Sequence, residues 1–159
     1  MGQHEVPTAG EAPHRLKPTS PLDVFRATPM QRVELLRNGL TARDAKAIVA
    51  SLALPQGRAW TALNVSQAMV NAKARRDQTL SVPEAERVVG VAKLIGQVQQ
   101  MVVDAGEPEG FSAVAWISSW LVAPLPALGG ELPITLLDTM EGQELIAKLL
   151  GQIRGGVYA

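Results

Sequence analysis

Between residues 58 and 76 the chain carries Arg58, Gln67, Asn71, Lys73, Arg75 and Arg76. The chemistry of this set suits a DNA duplex. Glutamine and asparagine can each form a paired hydrogen bond with adenine, and lysine can reach guanine acceptors. Arg58, Arg75 and Arg76, with Arg43 or Lys46, can meet phosphates. Such side chains work only from one face of a helix that enters the major groove. The sequence supplies that element, because 58–76 reads as a helix-turn-helix. Ala59 is small and lets two helices approach. Asn64 falls where the first helix must turn sharply, and asparagine tolerates left-handed backbone. Val65 can plug the core beneath the turn. Ser66 can cap the second helix through its hydroxyl, and it joins the DNA-facing set at that helix's start. Ala68, with Met69 or Ala72, is expected inward, leaving Gln67, Asn71 and Lys73 toward solvent. The plain alternative is a helical hairpin whose polar side is only wet.

No other cluster offers chemistry. The chain has no cysteine, and both histidines, His4 and His14, lie in its first fifteen residues. A disulfide framework and a thiolate metal site are excluded, and a histidine-rich centre is not expected. No serine sits in a nucleophile elbow. Asp138 and Glu141 fall near a helix start, where exposed amides account for a carboxylate. Gly129-Gly130 lacks the strand, spacing and lysine of a phosphate loop and reads as a tight turn. We therefore expect no catalytic residue, no cofactor and no metal, and no enzyme activity.

Net charge is zero, but the halves differ. Residues 1–80 hold eleven Lys/Arg against six Asp/Glu, a net of +5, and residues 81–159 hold four against nine, a net of −5. A basic half suits nucleic acid, and an acidic, apolar half suits protein. Hydrophobic residues make up 47% of the chain, ample for a core. No apolar run is long enough to span a bilayer, and Glu5, Pro7, Gly10 and Glu11 give the start no signal-peptide character. A cytoplasmic protein without a membrane partner is expected.

The elements follow from periodicity and caps. Residues 1–21, with four prolines, read as a flexible tail. From Leu22 the pattern is helical, interrupted or begun again at Pro29 and ended by Gly39. Thr41 caps a helix with Asp44 at its N3 position and with Ala45, Ile48, Val49 and Leu52 inward. Helices over 56–63 and 66–76 form the motif above, with Trp60 in the core. Ser81 and Glu84 have capping-box spacing and open a long helix to about Val103. Gly90 and Gly96 within it can admit close packing or equally be weak points. A helix over 111–122 places Trp116 and Trp120 one turn apart, Trp116 in the core and Trp120 partly exposed at a subunit or partner surface. Short helices over 133–137 and 141–153 follow, the last with Leu145, Leu149 and Ile153 on one face and Ile146 and Leu150 beside them. Nothing alternates long enough for a sheet, so the fold class is all-α. Three segments result: the tail (1–21), a helix-turn-helix domain (22–80) and a small helical domain (81–159).

In the second half, Leu80-Ser81, Glu84, Arg87, Trp116, Leu128-Gly129-Gly130, Pro133, Leu137, Thr139, Gly142 and the ending Ile153-Arg154-Gly155-Gly156-Val157-Tyr158 form a spaced set. As an ensemble it closely resembles the toxin-binding domain of Xre/MbcA/ParS antitoxins, whose members commonly pair it with a preceding Xre-like helix-turn-helix, so the resemblance covers roughly residues 30–159. The resemblance implies a dimeric antitoxin. Its C-terminal domain would neutralise a RES-domain toxin that degrades NAD⁺, and its N-terminal domain would bind operator DNA and repress its own operon. It implies a structural role for Ser81, Glu84 and Arg87, and a toxin-facing role for Trp120, Arg154, Gly156, Val157 and Tyr158, the terminal segment approaching the toxin's NAD-binding cleft. Many relatives carry an aromatic residue before the last glycine, where this chain has Gly155. Two other readings stay open: a stand-alone helical transcription regulator with a C-terminal protein-interaction domain, and a toxin neutraliser that has lost DNA binding.

Overall fold

One long helix organises the molecule, and its sequence explains why. In this computed structural model, which describes residues 15–107 and 109–154, Val82–Asp104 runs unbroken as a helix of 23 residues. Nine of its positions are buried, from Ala85 to Val98. A helix apolar over so much of its circumference must be covered on several sides. Seven further helices cover it or build outward: Pro21–Arg26 (α1), Pro29–Asn38 (α2), Ala42–Ala50 (α3), Gln56–Ala62 (α4), Gln67–Arg75 (α5), then the long helix (α6), Ala113–Leu121 (α7) and Met140–Arg154 (α8). Two 3-10 turns, Pro126–Leu128 and Pro133–Leu136, connect α7 to α8. Helices α1, α2, α3, α7 and α8 all pack on α6. No strand forms among the described residues. A single antiparallel bridge, Thr41 with Thr79, ties the start of α3 to the approach to α6. The fold is all-α.

Local chemistry starts the helices where the sequence reading places them. The Thr41 hydroxyl accepts from the Asp44 amide, and Ser66 accepts from Met69. Ser81 accepts from the Glu84 amide while Glu84 reaches back to the Ser81 amide, the reciprocal capping box. Thr28 and Gln31 form a second such box at α2, so Pro29 begins a new helix instead of kinking one.

Gly90 and Gly96 are the two close approaches on α6. A side-chain carbon at Gly96 would run into the Pro21 carbonyl and the Phe25 side chain of α1. One at Gly90 would run into the Gln143 amide of α8. Buried Gln143 spans the same junction, its Nε2 donating to the Arg87 carbonyl at 3.0 Å and the Leu137 carbonyl at 2.9 Å. The Arg32 guanidinium closes α1 by donating to the Val24 and Ala27 carbonyls at 3.0 and 2.6 Å. Buried apolar residues from Val24 through Leu150 form one cluster across both halves of the chain.

The structure refines four details of the sequence reading. On α5 the buried residues are Val70 and Ala74, and Ala68 is exposed. On α8 they are Ile146, Leu149 and Leu150, and Leu145 is 40% exposed. Gln143 locked into the Gly90 notch sets the rotation of α8, which turns the apolar stripe away from Leu145. Phe111 lies outside α7, because Ser112 caps that helix by accepting from the Ala115 amide. Trp116 is only half-buried, since Ile117, Ser118 and Leu121 supply the inward face of α7.

Candidate functional site

The segment read as a helix-turn-helix forms two helices, α4 and α5, joined by a tight turn. Helix α4 ends at a turn in which Asn64 adopts φ of 53°, the left-handed region. Val65 is buried under that turn, and Trp60 lies in the core. Arg87 of α6 fixes the assembly, its Nε donating to the Leu63 carbonyl at 2.8 Å and its Nη2 to the Asn64 carbonyl at 3.2 Å. These are orphan acceptors at a helix C-terminus, where a cation is also favoured. The Ser81–Glu84–Arg87 set is thus a capping box followed by an anchor for the turn. Replacing Arg87 by methionine keeps the stem's packing and strands both carbonyls. We expect Arg87→Met to cost about 1–3 kcal/mol, measured by urea unfolding, with faster amide exchange concentrated in α4 and α5.

Helix α5 presents two flanks. Gln67, Asn71 and Arg75 follow one another at successive turns along the flank that faces α3. There Asn71 and Arg75 share a groove with Arg43 and Lys46, and Gln67 adjoins it beside Gln56. Lys73 falls about 200° around the helix from Asn71, so it does not join them, although both are half-buried. Arg58 and Arg76 are exposed, Arg76 just past the end of α5. Arg43 is partly committed, since it pairs with Asp77 at 3.1 Å and donates to the Ala74 carbonyl. Lys46 is exposed and completes this face. Its position was legible, because on α3 it flanks the inward stripe Ala45, Ile48 and Val49.

The C-terminal residues form a second surface. Trp116 and Trp120 stack with ring centroids 6.1 Å apart and planes 14° from parallel, and both are half-buried. Ser118 ties α7 to the first half of the chain, accepting from the Ala53 amide and donating to the Val114 carbonyl. Trp116 also lines an apolar groove of about 240 Å³ with Val98, Met101, Val102, Phe111 and Ile153. Phe111 is 44% exposed. The sequence reading missed this groove, whose walls come from three separate helices. Arg154 is the last residue of α8. Gly156, Val157 and Tyr158 lie outside the described residues, as do His4 and His14.

A third cleft, about 210 Å³, opens between α2, α6 and α8 around Arg32, Lys93, Glu86 and Glu144. Partial burial lowers the Lys93 ammonium from its ordinary value, the Arg32 charge adds to this, and Glu144 opposes it. Burial also lowers Arg32. No group of three or more histidine, cysteine or carboxylate side chains that could hold a metal occurs among the described residues. No helix among them is long and apolar enough to cross a membrane.

Comparison with known proteins adds two findings. The family model for the antitoxin Xre/MbcA/ParS C-terminal toxin-binding domain matches residues 109–156, the stretch that holds α7, both 3-10 turns and α8. The chain is also 48% identical over 136 residues to a protein of Sphingobium sp. (strain YBL2) named Prs ADP-ribosylating antitoxin, a match that covers 86% of each. Identity at that level across so much of both chains reaches well beyond the matched domain, and the chain belongs to the Xre/MbcA/ParS family of antitoxins.

Proposed function

We propose that this antitoxin occludes the active site of an NAD⁺-consuming RES-domain toxin with its C-terminal segment, and represses its own operon through α5. The observation that carries this is the toxin-binding-domain match ending at residue 156, within the segment that holds Arg154, Gly156, Val157 and Tyr158. The relative's name associates it with ADP-ribosylation. That reaction takes its ADP-ribose from NAD⁺, so a toxin acting on NAD⁺ fits both. Burial of apolar surface around α7 and α8 supplies the affinity, with Trp120 as an aromatic anchor. The protein itself does no chemistry. It acts in the cytoplasm as a homodimer, which presents two α5 helices to half-sites about one helical turn, or a multiple of it, apart. In this proposal the helix-turn-helix unit comprises residues 22–80 and the toxin-binding unit residues 81–159.

The test is co-purification with the toxin gene's product, followed by NAD⁺ consumption with and without this chain. A stable complex with suppressed consumption is expected. A complex that leaves consumption unchanged refutes active-site occlusion.

The DNA reading rests on the groove that joins Gln67, Asn71 and Arg75 to Lys46 and Arg43. Changing Gln67 and Asn71 to alanine is expected to cost about 1–3 kcal/mol of operator affinity per lost paired contact. Lys46→Ala should instead weaken binding evenly across sequences and flatten the salt dependence by about one ion. Anisotropy titrations on operator and scrambled duplexes at several salt concentrations separate the two. Unchanged operator affinity in the double variant moves the reading surface off α5.

A further inference from the structure

The groove lined by Val98, Met101, Val102, Phe111, Trp116 and Ile153 is almost wholly apolar and open to solvent. Its position decides what can fill it. Ile153, one wall, is the penultimate residue of α8, and five residues follow Arg154: Gly155, Gly156, Val157, Tyr158 and Ala159. The next two apolar side chains in sequence, Val157 and Tyr158, therefore begin within a few residues of the groove. At about 3.3–3.6 Å per extended residue they reach across it easily. A glycine just past a helix end turns the chain back, and the apolar residue that follows commonly packs on the helix's last turn. Gly155-Gly156-Val157 is such a sequence. An aromatic ring with a polar hydroxyl also suits an open groove, because the ring is buried while the hydroxyl stays wet.

We infer that in the toxin-free protein Val157 and Tyr158 fold back over Gly155-Gly156 and occupy the groove between the C-terminal ends of α6 and α8 and the N-terminal half of α7. Resting on the occlusion reading above, this makes the tail a stowed element, since one segment cannot fill the antitoxin's groove and the toxin's cleft together. Toxin binding then competes with stowage, and the apparent affinity falls by the fraction of chains whose tail is free.

Tyr158 is the only tyrosine in the chain, so its ring protons are unambiguous in an NMR spectrum. In the full chain without toxin we expect nuclear Overhauser contacts from that ring to the Met101 methyl and the Ile153 methyls. Acrylamide quenching of tryptophan emission should increase in a Val157→Ser, Tyr158→Ser chain, where Trp116 loses its cover. Ala105→Glu, which sets a carboxylate in the groove, should abolish the contacts while leaving helicity intact. Absent contacts with unchanged quenching overturn the inference. Contacts that appear only between differently labelled chains in a mixed sample also overturn it, and assign the groove to a second copy. No toxin is present, so failure here leaves the occlusion reading standing.

Discussion

The same substitution at two helical glycines is expected to have opposite effects. Gly151→Ala raises stability by about 0.5–1 kcal/mol, and Gly96→Ala lowers it by about 1–3 kcal/mol. Taken alone, glycine to alanine within a helix is favourable by up to ~1 kcal/mol. Gly151 shows that effect undisturbed, because a methyl there meets nothing within 4 Å. At Gly96 the methyl meets the Pro21 carbonyl, which is backbone and cannot rotate aside, and the Phe25 side chain as well. Relief requires α1 to lift from α6. Lifting exposes Val24, which is fully buried, and pulls the Val24 and Ala27 carbonyls off the Arg32 guanidinium. Urea unfolding at constant m-value reads both effects, and at this size each kcal/mol moves Tm by roughly 2–4 °C. A Gly96→Ala chain stabilised as much as Gly151→Ala would show that α1 does not seat on α6 as described.

That contrast also marks what the sequence could disclose. Caps and turns were legible because they are local: Thr41 with Asp44, Ser66 with Met69, Ser81 with Glu84 and the left-handed Asn64 each depend on residues at most three apart. Gly90 and Gly96 stood out in the sequence, but whether they were packing sites or weak points, and what they approach, only the fold decides. Helix rotation was not legible. An apolar stripe restricts a helix to a broad arc, and a tertiary partner chooses within it. Gln143 in the Gly90 notch chose for α8 and exposed Leu145. On α5 the burial of Val70 and Ala74 set Lys73 apart from Gln67 and Asn71. Arg87 was expected to have a structural role, and only the fold reveals that it grips the carbonyls of Leu63 and Asn64, more than twenty residues earlier.

Removing residues 157–159 is expected to separate the two proposed activities. Toxin inhibition should weaken by at least ~30-fold, or about 2 kcal/mol, the scale at which a central aromatic anchor is lost from an interface. Operator affinity should stay within a few tenths of a kcal/mol. The asymmetry follows from the architecture. The groove of α3 and α5 that carries Lys46 and Asn71 is lined by no residue beyond 75, and the anchor of the turn, Arg87, lies on α6. The truncation begins after α8 has ended, so no described helix is shortened. The comparison needs inhibition of NAD⁺ consumption and operator binding measured on the same preparation. Equal loss of both would mean that the terminal segment supports the dimer or the fold, and the division of labour would fail. Full inhibition by the truncated chain would move occlusion to the surface around Trp120 and α8. Selective loss of inhibition would leave Tyr158, Val157 and the terminal carboxylate as the groups to vary one at a time.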